Sequence, residues 1–326
     1  MPGPTARYVE FPEFRRYEAV RQEANNAMMA LLAGSKLAAH TLQLTTGSRQ
    51  MLPDIFPGVD HIGYFRLRTD AATDMLLNTG HHLGAVAVPY ALAVHEDFAM
   101  TTLRLLVRLG FTRTAPGNDP DSRKNPIRAW NMHQAIYMTL GLSIPARGTC
   151  VPAYEHFHLL REMRNAQIHS GGDISQRLAD EVRDISTPAA IDWERLARRT
   201  PGEVIATPPM QFTIHDIFTV FATTKTMGRE INTLLRDHLP HDQWAQLCIE
   251  DYASFSSNAR GSDQWIRGLL GHAKQSYGTV GITEQELVDK AITMGFWAAG
   301  KTYILRRSAR GVTKTRDRGT KHPGAS

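Results

Sequence analysis

The sequence predicts an almost entirely helical protein. Two observations carry that expectation: apolar residues recur at three- and four-residue spacing through most of the chain, and helix caps and stops punctuate them. A composition of 42% hydrophobic and 21% charged residues over 326 positions is that of an ordinary globular chain, long enough for one large or two modest domains.

The first helix is predicted from Phe14 to about Leu44, where Val20, Ala24, Ala27, Met28, Leu31 and Leu32 fall at helical spacing and Gly34-Ser35 is the point at which it would break. Gly47, Pro53, Pro57, Gly58 and Gly63 mark a connection, and the alternation from Tyr64 to Arg68 is too short to decide between strand and turn. A second block, Thr69 to Leu109, reads as two helices parted near Gly80 or Pro89, with Phe98, Thr102, Leu105 and Leu106 on one stripe. A polar loop from Arg113 to Pro126 leads to a helix from Ile127 to about Leu142 and a break between Pro145 and Pro152.

From Ala153 to His169, Phe157, Leu160, Met163 and Ala166 recur every third residue, and Ser170-Gly171-Gly172 supplies a stop. A short helix at 192–199 follows. Thr213 to Asp216 forms a capping arrangement that opens a long helix to about Arg236, with Ile217, Phe221, Thr224, Ile231 and Leu235 inward. Helices near 244–252 and 264–275 come next, and a Thr283-x-x-Glu286 capping box precedes a helix predicted from Leu287 to Leu305. Beyond Arg307 no core-forming pattern remains, and the sequence predicts a disordered tail.

The net charge of +5 misdescribes the body of the chain. Residues 301–326 hold eight Lys or Arg against Asp317, a local charge of +7, which leaves the rest at −2. Arg306, Arg307 and Arg310 in this tail are the candidates for attracting RNA phosphates. The longest apolar run, Leu83 to Val94, contains Pro89 and is too short to cross a membrane. No signal-peptide pattern opens the chain, so a cytoplasmic location is the expectation. Cys150 and Cys248 lack CxxC or zinc-ligand spacing. No HExxH, phosphate-binding GxxxxGK[ST] or GxSxG pattern occurs, and no metal or cofactor is predicted. His81-His82, His95 and the pair His156 and His158 read as satisfied or solvated imidazoles.

The sharpest chemical signal is Arg164-Asn165-Ala166-Gln167-Ile168-His169 at the end of an amphipathic helix. Cutting RNA without a metal requires a base for the proton of a 2′-hydroxyl and a cation for charge developing on phosphorus. His169 has the titration range for the first task, and Arg164 offers a permanent planar charge for the second. Five residues set them about 140° apart on an ideal helix, whereas Asn165 and His169 lie within about 40°, so Asn165 is placed to orient the imidazole. A second match, Arg236 to His241, contains Pro240, which breaks the helix between its two ends and makes it a decoy.

Arg164-Asn165 followed by His169, with the flanks Leu159 to Met163 and Ser170-Gly171-Gly172, resembles the signature of the HEPN superfamily, helical bundles that include metal-independent ribonucleases of toxin and phage-defence systems. The resemblance implies a HEPN-like bundle over 69–240, an N-terminal helical extension and linker over 1–68, a C-terminal helical region over 241–307 and the tail over 308–326. It implies further that Arg164, Asn165 and His169 act where two copies of their helix meet in a homodimer. Glu96 or Asp97, on an earlier helix, would supply a supporting acid. The expected partners are RNA, a second copy, and an antitoxin or defence-system component. The alternative is a non-catalytic helical module that dimerises or binds a nucleotide or partner.

Overall fold

The computed structural model describes residues 8–45, 49–64, 66–111 and 131–298. The expectations for the 113–126 loop, for the start of the helix after it and for the tail with Arg306, Arg307 and Arg310 lie outside these residues.

Among the described residues the chain forms thirteen α-helices, one 3-10 turn at Ile62–Tyr64 and no strand beyond a single bridge between Met51 and Arg68. The all-α expectation therefore holds. No described helix is long and apolar enough to cross a membrane.

Helix α1 (Pro12–Gln43) opens with proline in its first turn, where no backbone donor is lost. It runs unbroken through Gly34-Ser35, with the Ser35 hydroxyl donating to the Leu31 carbonyl one turn back at 2.8 Å. After a four-residue turn of helix, α2 (Leu52–Ile55), the predicted parting of the second block falls at Asn78, between α3 (Thr69–Leu77) and α4 (Thr79–Arg108). Pro89 does not end α4. A proline inside a helix costs roughly 3 kcal/mol, and the neighbouring Ala87, Val88, Ala91 and Leu92 are buried, which offsets it at roughly 25 cal/mol per Å² of apolar surface.

Helix α5 (Met132–Thr139) precedes α6 (Pro152–Ser170), which starts on a proline and ends where Gly171 adopts φ 60° and Gly172 donates to the Ala166 carbonyl at 3.0 Å. The Gly172 carbonyl accepts from Met210 N–H at 2.7 Å, and a β-carbon on Gly172 would lie 2.7 Å from the Met210 oxygen. Glycine here fixes the end of α6 against the segment that leads into α10.

Helices α7 (Gln176–Asp184), α8 (Thr187–Ala197) and α9 (Pro201–Val204) occupy a region where the sequence suggests only one short helix. The capping box at Thr213 opens α10 (Ile214–His238) as expected. Its Asp216 accepts from Thr213 N–H at 2.6 Å and pairs with Arg199 at 2.6 Å. Helices α11 (His241–Phe255), α12 (Asp263–Ser276) and α13 (Glu284–Thr293) complete the described chain. The box at Thr283 forms, but the helix stops at Thr293, where Gly295 takes φ 74°, well short of the predicted Leu305.

The helices enclose two hydrophobic cores. One gathers Ala87 to Leu92 of α4 with Phe157 to Ala166 of α6, Trp193 of α8 and the first half of α10. The other joins Val9, Phe11 and Phe14 to Phe98 through Leu109 of α4, to α5, and to Trp244, Trp265 and Trp297. This second core draws on segments before 68, within 69–240 and after 241, so packing does not follow the divisions suggested by sequence. The N-terminal segment is pinned there twice. Asn232 bridges the Val9 backbone with bonds of 3.0 and 2.8 Å. The buried Asp251 carboxylate accepts from Arg15 at 2.7 and 3.0 Å, from His272 at 2.9 Å and from Tyr277 at 3.1 Å.

Between the two cores a chain of buried hydrogen bonds joins four helices. Tyr17 of α1 donates its hydroxyl proton to the Thr224 carbonyl of α10 at 2.6 Å, so its oxygen is left to accept from His95 Nδ1 of α4 at 3.0 Å. That assignment places the His95 proton on Nδ1 and makes its Nε2 the acceptor for His133 Nε2–H of α5 at 2.8 Å. Burial pushes the His95 imidazole well below its ordinary range and brings His133 to about 3 and His158 to about 2. Close packing holds the first link: Tyr17 lies against Gly228 of α10, where a β-carbon would come within 2.2 Å of the ring.

Two pH effects follow. The unfolded chain protonates these three imidazoles near pH 6.5 and the folded chain does not, so stability present above pH 6.5 falls as pH is lowered toward 3, by up to about 1.4 kcal/mol per pH unit per imidazole. His133→Phe is expected to reduce that slope by about one such increment in denaturant titrations between pH 6.5 and 5; an unchanged slope contradicts the assignment. For Asp251, burial alone would raise the carboxyl pKa, but His272 and Arg15 outweigh it and bring the group to about 2. Its contribution is therefore complete above the unfolded value of about 4 and lost as pH falls from there to about 2. Asp251→Asn should flatten the melting temperature across that window.

Candidate functional site

Helix α6 presents the motif on two different sides. Its inward residues Phe157, Leu160, Met163 and Ala166 are buried, which turns Arg164 toward α4 and leaves His169 exposed near the glycine stop. One oxygen of Glu96 on α4 lies 3.4 Å from Arg161 Nε and 3.8 Å from Arg164 Nη2. The three side chains are only 10 to 25% exposed. Burial raises the Glu96 carboxyl above its usual range against the opposing pull of Arg161 and Arg164, while burial lowers the Arg161 guanidinium despite Glu96 and Glu162.

Of the two candidate acids, the structure brings only Glu96 to the motif. Asp97, one residue and about 100° further round α4, is exposed and lines a groove toward Arg16 and Val20 of α1, and among the described residues it forms no ion pair with Arg164. Asn165 also departs from expectation. Its amide donates to Glu162 at 3.3 Å, one turn back, and among the described residues it makes no bond to His169. Arg164 and His169 are not joined within one chain. In the second match the helix breaks before Pro240 as expected, with Arg236 paired to Asp237 at 2.7 Å, but His241 is not on a loop: it opens α11 beside Glu286 at 3.0 Å.

Sequence reading missed the cleft beside the motif. It is about 420 Å³ in volume and opens between the start of α5, the Arg161–Asn165 turn of α6 and α7. Seven residues separate Glu162 from His169, which returns them to within about 20° of each other, so the cleft and the imidazole share one side of α6. That spacing is the signal from which Glu162 could have been found. Arg177, by contrast, sits on a helix that was not predicted.

Of the other histidines, His95 and His133 bond each other at 2.8 Å and His156 meets the Ala189 carbonyl at 2.7 Å, while Cys150 is half-buried near Glu155 with its thiol pKa raised by burial. Among the described residues no three His, Cys, Asp or Glu side chains cluster so as to hold a metal ion.

No known protein family matches this chain, and no curated protein or solved structure matches it either.

Proposed function

We propose that the chain is a metal-independent RNA endonuclease that acts as a homodimer, with Arg164 and His169 contributed to a shared site by two α6 helices. The observation that carries this reading is the division of labour on α6. Arg164 is steadied by Glu96 at 3.8 Å, while His169 is left exposed at the end of the same helix, on its cleft side. Separation of the two groups around one helix favours a site completed by a second copy. The exposure of Val86 and Tyr90 on α4 and of Ile168 on α6, large apolar residues on helices that pack together, supports an apolar contact there.

In this mechanism the imidazole of one His169 takes the proton of a 2′-hydroxyl as that oxygen attacks phosphorus. Arg164 holds the non-bridging oxygens as their charge grows. The bond to the 5′-oxygen breaks, and that oxygen takes a proton from the other copy's imidazolium, leaving a 2′,3′-cyclic phosphate and a 5′-hydroxyl. The basic tail would add salt-sensitive, non-specific attraction for RNA. The toxin or phage-defence setting, with an antitoxin or defence-system partner, follows from the family resemblance of the motif. The non-catalytic alternative draws on the same ion pair, since Glu96 already opposes the charge of Arg164.

The test uses purified protein, a structured RNA and excess chelator. His169→Ala is expected to slow cleavage by about 10²–10⁴-fold and Arg164→Ala by about 10²–10³-fold, with circular dichroism unchanged. A His169→Ala protein that cuts at the wild-type rate, cleavage that depends on added divalent metal, or a monomer at assay concentration would overturn the proposal.

A further inference from the structure

The cleft beside α6 carries more hydrogen-bonding capacity than the fold uses. Several of its walls are already engaged. Glu181 takes both of its oxygens to Arg147, at 2.9 and 2.7 Å. Asp180 pairs with Arg183 at 2.8 Å and accepts from Gln176 at 2.9 Å, and Arg161 pairs with Glu96.

Three groups remain. Glu162 is 5% exposed and, among the described residues, accepts a single bond, the 3.3 Å contact from Asn165; a carboxylate this deep ordinarily has an ion-pair partner or several donors. Arg177 is exposed and makes no ion pair or side-chain hydrogen bond among the described residues. Asn131 stands at the N-cap of α5, but its side chain does not cap the helix. A carboxylate, a guanidinium and an amide thus face one cavity with bonds to give.

Among the described residues the cleft walls set Glu162, Asp180 and Glu181 against Arg161 and Arg177, a lining that disfavours a phosphate. A nucleobase does, because an unstacked base in RNA is read by hydrogen bonds along its edges and by stacking on guanidinium planes. Of the four bases only guanine presents two adjacent donors, N1–H and the 2-amino group, for a carboxylate, together with two adjacent acceptors, O6 and N7, for an arginine fork. Glu162 lies about 10 Å along the helix axis from His169, which sets the base to one side of the scissile bond.

We infer that this cleft is a guanine-recognition subsite, in which Glu162 accepts from the Watson–Crick edge, Arg177 donates to O6 and N7, and Asn131 and Asn165 close the rim. It rests on the RNA-cleaving reading and supplies that reading with a substrate class: RNA with an unpaired guanine beside the cleaved bond.

Two measurements separate the subsite from the chemistry. In the first, His169→Ala protein is titrated with fluorescent single-stranded RNA oligonucleotides that differ at one position, guanine or adenine. Binding is expected to favour guanine by about tenfold or more, with the preference lost in Glu162→Gln and in the surface variant Arg177→Ala. In the second, wild-type and Glu162→Gln proteins cut the same pair of oligonucleotides, and the ratio of rates at guanine to adenine is expected to fall about tenfold in the variant. Guanine-selective binding without any cleavage supports the subsite and sinks the nuclease; cleavage without base preference, or a preference unchanged in both variants, overturns the subsite and leaves the nuclease standing.

Discussion

The arrangement of the site depends on one uncharged imidazole. His95 accepts from His133 and donates to Tyr17, whose own proton goes to the Thr224 carbonyl, so each link is determined by the one beside it. A neutral hydrogen bond contributes only about 1 kcal/mol net, but a buried group stripped of its partner costs about 1–3 kcal/mol, and rotating α4 would strip several together. The chain therefore acts chiefly on the rotation of α4, and α4 carries Glu96 as its next residue.

That position on α4 is also where the two cores meet. Residues 87–92 pack with α6, α8 and α10, residues 98–109 pack with α5 and the C-terminal helices, and His95 and Glu96 lie between. A helix gripped at both ends holds a side chain at its middle with little freedom, which is what a positioned carboxylate needs. The N-terminal segment, whose role the sequence does not reveal, serves this arrangement: Tyr17 closes the hydrogen-bond chain, while Asn232 and Asp251 tie the residues just before and after the start of α1 to α10 and α11.

Legibility in the sequence followed the physics of each element. The ends of α6 and α10 were readable because caps and glycine stops are local signals, and the structure has Thr213, Asp216 and Gly171 in those roles. Helix α7 was missed although Ile174, Leu178, Val182 and Ile185 recur at helical spacing and pack on the core, because a nine-residue helix gives a periodicity only two turns in which to show itself. The break near Gly80 was read correctly, but the choice against Pro89 was not legible, because the cost of a proline is local and the burial that outweighs it comes from distant helices. At the candidate site, Arg164 and His169 could be named from their spacing together with the helix periodicity before them and the glycine stop after them. The choice of Glu96 over Asp97 could not, because it depends on which side of α4 meets α6.

The ion pair raises a physical question, since Glu96 occupies a cation that the proposed mechanism assigns to phosphate. Glu96 is shared by Arg161 and Arg164, so the three groups together carry a charge of +1. A phosphodiester brings one negative charge in its ground state and acquires more as the 2′-oxygen attacks. Two uncompensated guanidiniums would bind that ground state tightly, and tight ground-state binding does not accelerate the bond-breaking step. A carboxylate that relieves their mutual repulsion and steadies Arg164 leaves the surplus attraction to grow with the charge on phosphorus. In the proposed mechanism Glu96 would thus tune the pair toward the transition state, and its placement beside His95 would serve the chemistry as well as the fold.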